Sequence, residues 1–331
     1  MARPVTLFSG QWADMPFENF CEKVKAFGYD GIEIACWGDH LDLKKAATDP
    51  KYVEDRKTLL KNLNLKVFAI GTHLISHCVS CDIADPRLSS IVPSSAAGKP
   101  EEIRKWAVQE MKYAAAAAKN LGVKIVTGFM ASPIWAYWYS FPQTTEQMMA
   151  DAYAQLIKHW TPVFDEFDKN GVKFALEVHP TGIAYDYYTA ERLLKEFKNR
   201  KTLGFNFDPS HLVWQGISPQ LFVRDFARHI LHMHVKDTAV TLDGRSGILS
   251  SFLPFGDVRR GWNFRSPGHG DIDFENIIRE LNAINYKGPL SVEWEDTGMN
   301  REVGAKEACD FVKNINFSPS DVAVEDSAKS E

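Results

Sequence analysis

The chain has 331 residues, 45% of them hydrophobic, which is enough to bury a large core in one barrel-sized domain or in two smaller domains. Its formal net charge is -5, and this acidic balance argues against nucleic acid as a partner, because binding phosphates requires a basic surface. The apolar runs are only as long as strands, so we expect neither a membrane span nor a signal peptide.

Eight short apolar runs, rich in β-branched residues, alternate with stretches of helix-forming composition. The runs cover residues 5–10, 31–37, 66–73, 124–129, 173–179, 203–208, 230–235 and 290–295. Alternating strands and helices build a parallel sheet, and eight repeats favour a closed barrel over an open sheet. No G-x-G-x-x-G turn follows the first run, which argues against a dinucleotide-binding fold. We therefore predict an α/β fold, a single-domain (β/α)₈ TIM barrel, over residues 1–316.

Three connections after predicted strands are long: 74–99, 130–143 and 236–272. All three would rise from the C-terminal face of the barrel, where barrel enzymes hold their active sites. The third is rich in glycine, arginine and aromatic residues, which predicts an ordered lid. A long helical stretch over 144–171 contains Pro162, which predicts a kink or a break in that helix. Residues 317–331 are polar and acidic, and we expect a disordered tail there.

Five cysteines, an odd number at irregular spacing, occur in the chain. This pattern predicts reduced thiols and a cytoplasmic location rather than the disulfide framework of a secreted protein. Cys78 and Cys81 form a Cys-x-x-Cys pair, which by itself is only a weak indication of zinc or redox chemistry.

Polar residues stand at the ends of the last four predicted strands, where a buried strand should be apolar. They are Glu177, His179, Asp208, His211, His232, His234, Lys236 and Glu293. Alternate residues of a strand share a face, and the ends of barrel strands converge at one mouth. Carboxylates that meet there would repel one another without a cation. We therefore predict one divalent ion, with the ligands Glu177, Asp208, His234 and Glu293.

Three oxygen ligands and one nitrogen favour Mn²⁺, with Mg²⁺, Co²⁺ and Zn²⁺ as alternatives. The other interpretation is that the carboxylates form ion pairs with Lys236 or with arginines of the 236–272 connection. Four further residues near the mouth are predicted to bind substrate: Glu33, His73, Lys236 and Arg265. Glu33 ends the second strand and could instead support a neighbouring loop, and a lone histidine such as His73 is more often solvated.

The order of four motifs resembles the xylose isomerase-like barrel, the sugar-phosphate isomerase/epimerase superfamily. The motifs are EVHP on strand five, FDPSH on strand six, HMHVKD on strand seven and VEWED on strand eight. The resemblance covers about residues 4 to 316. It implies a TIM barrel that holds one divalent ion through Glu177, Asp208, His234 and Glu293. It also implies that Glu177 and Glu293 are catalytic and exchange a proton of a small carbohydrate substrate.

The chain departs from the free-ketose epimerases of that family in two places. Ile183 and Ala184 stand where those enzymes carry a further carboxylate, and the nearest arginine after His234 is Arg245, inside an enlarged loop. These differences put a small free ketose in doubt. The enlarged loops are similar to a branch that acts on bulkier or oxidised sugars.

The resemblance therefore leaves two reactions open. The first is a metal-dependent sugar isomerase or epimerase that works through a metal-stabilised enediolate. The second is a lyase or hydratase that eliminates the aglycone from 3-keto-glycosides, with His179 or His211 as the catalytic base. A third hypothesis, an abasic-site endonuclease, is disfavoured by the acidic balance of the chain. A fourth hypothesis is a metal-free barrel that binds sugars. We expect a small carbohydrate or glycoside as the partner and no contact with a membrane. A homo-oligomer or an accessory subunit is left open.

Overall fold

A computed structural model describes residues 2–82, 85–139 and 141–320 of the chain. Eight of its strands are parallel and form the barrel: β1 (Val5–Phe8), β2 (Gly31–Ala35), β3 (Lys66–Gly71), β4 (Ile125–Gly128), β5 (Lys173–Glu177), β6 (Leu203–Phe207), β7 (Ile230–Val235) and β10 (Leu290–Val292). They pair in chain order from β1 to β7, and β10 closes the barrel between β7 and β1. The predicted single-domain (β/α)₈ barrel is confirmed.

Helices lie between the strands and cover the outside of the barrel. Those in the described part of the chain are α1 (Phe17–Phe27), α2 (Leu43–Thr48), α3 (Pro50–Asn62), α4 (His73–His77), α5 (Pro100–Leu121), α6 (Glu146–Asn170), α7 (Tyr187–Glu196), α8 (Ser210–Val213), α9 (Pro219–Asp225), α10 (Phe274–Ala283) and α11 (Arg301–Ile315). Helix α6 continues through Pro162, so the predicted break does not occur. Its buried face, which includes Trp160 and Phe164, packs against Phe174 of β5 and holds the helix together despite the missing backbone N–H.

The two faces of the barrel strands differ in character. Phe174 of β5 and Phe205 of β6 point outward, where their rings contact aromatic side chains of the surrounding helices. Glu177, three residues after Phe174, and Asn206, next to Phe205, point into the barrel and hydrogen-bond each other. These large apolar side chains therefore lie in the layer between strands and helices. Polar groups point into the barrel, where the ring of Phe8 stacks on His234.

The connection over 236–272 contains two further strands, β8 (Asp237–Val240) and β9 (Trp262–Arg265), which pair antiparallel outside the barrel. The sequence patterns did not predict these strands. Among the described residues, no helix combines the length and apolarity needed to cross a bilayer. All five cysteines are free and buried. Residues 321–331 of the predicted tail lie outside the described residues.

Candidate active site

Glu33, on β2, lies fully buried in the barrel interior. Its Oε2 atom accepts hydrogen bonds from His232 Nε2 at 2.8 Å, His234 Nε2 at 3.0 Å and Ser291 Oγ at 2.8 Å, and Thr127 donates to Oε1. Burial alone would raise the pKa of Glu33, but His234 and His232 outweigh it and hold that pKa well below its usual range. Its acceptor sites are thus occupied by the protein, which favours a role in positioning His234 over the predicted substrate contact.

His234, at the end of β7, presents its other ring nitrogen to two carboxylates. Nδ1 lies 3.0 Å from Glu177 Oε2 and 3.1 Å from Glu293 Oε2. Burial would lower the pKa of His234, but the charges of Glu33 and Glu293 raise it well above its usual value. Without another cation the ring therefore carries a proton, and an ion placed among these carboxylates would take over that charge.

Glu177 ends β5 and is surrounded by donors. Its Oε2 atom accepts from Asn206 Nδ2 at 3.0 Å and lies 3.2 Å from His73 Nε2, while Oε1 lies 3.1 Å from His211 Nε2. Burial raises the pKa of this carboxyl, but the charge of Lys236 and the hydrogen bonds from the histidines lower it well below the usual range. Glu177 is therefore held as a carboxylate.

Lys236 joins the remaining two carboxylates. Its Nζ donates to Glu293 Oε2 at 2.7 Å and lies 3.1 Å from Asp208 Oδ2. Gln11 Nε2 donates to Glu293 Oε1 at 3.1 Å, and Asp208 Oδ1 accepts from the backbone N–H of Ser210 at 2.8 Å. Asp208 Oδ2 is buried and has no well-aligned hydrogen-bond donor among the described residues. The alternative interpretation was that the carboxylates form ion pairs with Lys236 or with arginines, and the part that concerns Lys236 therefore holds.

The predicted ligand set converges at one point. One ligand atom each from Glu177, Asp208, His234 and Glu293 lies within 4.8 Å of the others, and all four residues are buried. Three carboxylates against the single ammonium of Lys236 leave two negative charges uncompensated when His234 is neutral. That charge, together with Asp208 Oδ2, which is buried and lacks a well-aligned hydrogen bond among the described residues, fits one divalent cation with mainly oxygen ligands.

His179 and His211 lie beside this set, with ring centroids 4.3 Å apart. His211 Nε2 is 3.3 Å from Asp208 Oδ2, while His179 Nδ1 has no hydrogen-bond partner in the described part of the chain. Burial, followed by the neighbouring His211, lowers the pKa of His179 well below its usual value, so the ring is neutral. His179 therefore has a free ring nitrogen beside the carboxylates, whereas His211 Nε2 lies within ion-pair distance of Glu177 and Asp208.

The same two histidines line a cavity of about 780 Å³ that extends away from the carboxylates. Its other walls are largely aromatic, and we refer to it as the aromatic cleft: Trp135, Trp138, Trp214, Phe255, Trp262 and Phe264. Phe264 links the cleft to the site. Its ring lies against His211, and Lys236 Nζ lies 4.8 Å from the centroid of the Phe264 ring.

Two of the four predicted substrate contacts, His73 and Lys236, lie at the site. Arg265 does not: its guanidinium lies 3.8 Å from Asp296, and it lines a separate cavity with His269. Gln11 and Asn206 also hydrogen-bond the carboxylates, and the sequence patterns did not single them out. Asn206 carried a usable signal, because a polar residue two positions before Asp208 shares its inward face.

The chain matches the family of xylose isomerase-like TIM barrels over residues 21–315. It is 28% identical to protein YfiH of Bacillus subtilis over 319 residues, which covers 90% of this chain and 95% of that protein. It is 30% identical to an inosose dehydratase of Clostridium beijerinckii over 293 residues, 84% of this chain and 82% of that enzyme. Among solved structures, a zinc-bound IolI protein superposes with a TM-score of 0.63 at 20% identity, covering 94% of this chain and 96% of that one. The chain therefore belongs to the xylose isomerase-like TIM barrel family.

Proposed function

We propose that the chain is a divalent-metal-dependent enzyme that removes a proton beside the carbonyl group of a sugar or cyclic keto-polyol. The observation that carries this proposal is the convergence of four buried ligand atoms within 4.8 Å of one another, beside the imidazoles of His179 and His211. The similarity to an inosose dehydratase over most of both chains supports a substrate of this class.

Glu177, Asp208, His234 and Glu293 would hold the ion. A bound divalent ion supplies positive charge that stabilises the oxyanion developing on a substrate carbonyl. Lys236, an ammonium with donors only, is placed to hydrogen-bond a substrate oxygen beside Glu293. The rings of His179 and His211 face the cavity through which a substrate reaches the carboxylates.

We propose elimination as the reaction. An imidazole, His179 or His211, takes the proton from the carbon beside the carbonyl. The electron pair of that C–H bond forms a C=C bond, and the C–O bond at the next carbon breaks. The departing oxygen then receives the proton from the imidazolium, so that an unsaturated ketone and water or an alcohol leave.

Isomerisation or epimerisation is the second candidate, because Glu177 and Glu293 both reach the same nitrogen of His234, at 3.0 Å and 3.1 Å. Two carboxylates placed on either side of a carbon could exchange its proton. Elimination is favoured because the relative matched over most of both chains is a dehydratase, and because the imidazoles of His179 and His211 lie beside the carboxylates.

The test starts from protein stripped with a chelator and reloaded with Mn²⁺, Mg²⁺, Co²⁺ or Zn²⁺. Each form is incubated in D₂O with a 2-keto-inositol, a 3-keto-glucoside and free ketoses, and the products are followed by NMR. We expect loss of the proton beside the carbonyl and formation of an unsaturated ketone. Both should stop with the chelator and return with one ion, which we predict to be Mn²⁺. A changed ratio of epimers without elimination would favour the second candidate. Retention of that proton together with absence of an unsaturated ketone, with every ion, would refute the proposal.

We expect Glu33→Gln to weaken binding of the divalent ion without abolishing it. The amide keeps the shape of the side chain but removes the charge that orients His234, and loss of such a supporting contact typically weakens metal affinity about 10- to 100-fold. Titration against a competing chelator measures this affinity. Glu275→Gln, on the exposed face of α10, serves as the control and should bind the ion as the wild type does. Equal affinity in Glu33→Gln would show that Glu33 does not position His234.

A further inference from the structure

The aromatic cleft is larger than a site for one sugar ring requires. Its volume is about 780 Å³, and drug-sized ligands occupy pockets of roughly 300–1,000 Å³. Trp135 and Trp138 stack at 6.2 Å with an interplanar angle of 18°, and Trp214 and Trp262 stack at 4.4 Å with their planes parallel. A wall of flat rings that continues from the reacting groups is suited to a planar, apolar ligand group.

One buried cation interrupts this aromatic lining. Arg260 is only 7% exposed, and its guanidinium lies 4.2 Å from the ring centroid of Phe255 and 4.9 Å from that of Trp262. One of its N–H groups donates to the backbone oxygen of Leu253, but its Nε has no hydrogen-bond partner among the described residues. A buried guanidinium donor without a partner is costly, so a ligand that offers an oxygen acceptor there would gain a charge-assisted hydrogen bond.

A strained segment forms the rim of the cleft. Ser250, Ser251 and Phe252 are consecutive non-glycine residues with positive φ angles of 61°, 49° and 57°. This left-handed conformation is unfavourable for residues with a Cβ and is typically retained where it serves a function. The Phe252 side chain is fully exposed at this rim, which leaves its ring free to cover a ligand.

We propose that the aromatic cleft binds the part of the substrate that does not react, and that this part is an aryl group carrying an oxygen acceptor. The substrate would then be an aryl glycoside whose sugar reaches His179 and His211, whose acceptor meets Arg260, and whose ring is covered by Phe252. This assignment rests on the proposed function for the orientation of the substrate, while the binding of the aryl group is independent of turnover.

Calorimetric titration with methyl, phenyl and 4-carboxyphenyl glucosides tests this assignment on the ion-loaded protein. We expect the phenyl glucoside to bind about tenfold more tightly than the methyl glucoside. The carboxyphenyl glucoside should gain about a further tenfold through Arg260. Equal affinity for all three ligands would overturn the assignment.

Two variants locate the effect. Arg260→Met should abolish only the gain due to the carboxylate, whereas Arg259→Met, its exposed neighbour paired with Asp257, should retain it. Phe252→Ala should weaken both aryl glucosides about threefold or more without affecting the methyl glucoside, and Tyr188→Ala, an exposed aromatic on α7, should change nothing.

Since Phe252 is exposed, its variant is expected to fold even if Arg260→Met does not. Unchanged aryl affinity in Phe252→Ala would refute the covering role, and equal effects of Arg259→Met and Arg260→Met would refute the acceptor contact. Selective aryl binding without turnover would leave this assignment standing and refute the proposed function. Turnover of free keto-polyols without any preference for aryl glucosides would support the proposed function and refute this assignment.

Discussion

Glu177→Gln is expected to lower kcat/KM by about a thousandfold or more and to abolish retention of the ion. The effect on kcat/KM is large because the variant loses both a proposed ligand of the ion and the geometry that catalysis needs. The amide keeps the volume of the side chain, but it removes a negative charge. It also places an NH₂ group among atoms that are themselves donors, such as Asn206 Nδ2 and His211 Nε2. Turnover at saturating ion and elemental analysis of the purified variant measure both effects.

Folding must be separated from function in this variant, because Glu177 is buried among its partners. Thermal melting and circular dichroism of Glu177→Gln show whether the barrel is intact. Glu177→Asp keeps the charge but withdraws it by one methylene, and we expect it to retain weakened ion binding. Glu275→Gln should match the wild type in every measurement. A folded Glu177→Gln protein with full ion content and turnover would contradict the assignment of Glu177 as a ligand.

Asp237→Asn is expected to destabilise the protein by about 2–4 kcal/mol, because buried backbone donors lose their acceptor. The Asp237 carboxylate accepts from the backbone N–H groups of Thr238 at 2.8 Å, Gly268 at 2.9 Å, Gly270 at 3.0 Å and Ile272 at 3.3 Å. In asparagine, one of the two oxygens becomes an NH₂ group that faces two of these donors. Either orientation of the amide leaves two N–H groups without an acceptor.

Chemical denaturation gives the loss of stability, and hydrogen exchange shows where it is felt. We expect faster exchange over 237–272, because Asp237 ties the start of this connection to its end. The backbone at Gly270 lies so close to Asp237 that a Cβ there would clash with Asp237 Oδ1, so Gly270→Ala should loosen the same segment. Asp310→Asn is the matched control: its carboxylate pairs with Lys306 on the surface of α11, where such pairs contribute little. Equal stability of Asp237→Asn and Asp310→Asn would contradict the role of Asp237 in holding the 236–272 connection together.

Much of the site was accessible from the sequence, because strand ends in a closed barrel converge wherever the strands lie along the chain. Short apolar runs rich in β-branched residues located the strands, and polar residues at the last four strand ends singled out Glu177, Asp208, His234 and Glu293. The structure brings their ligand atoms together. Their role as ligands of a metal ion, and the identity of that ion, remain predictions.

By itself the sequence determined the barrel and the residues at its mouth, since both follow from local periodicity. Only the tertiary structure decided which partners each polar group finds. Glu33 meets His232 from 199 positions further along the chain, and Arg265 turns toward Asp296 instead of the site. Strands β8 and β9, the aromatic cleft and the isolated donor of Arg260 likewise exist only through contacts between distant segments. Hydrogen bonds and burial are properties of spatial neighbours, and a one-dimensional pattern records the residue type but not those neighbours.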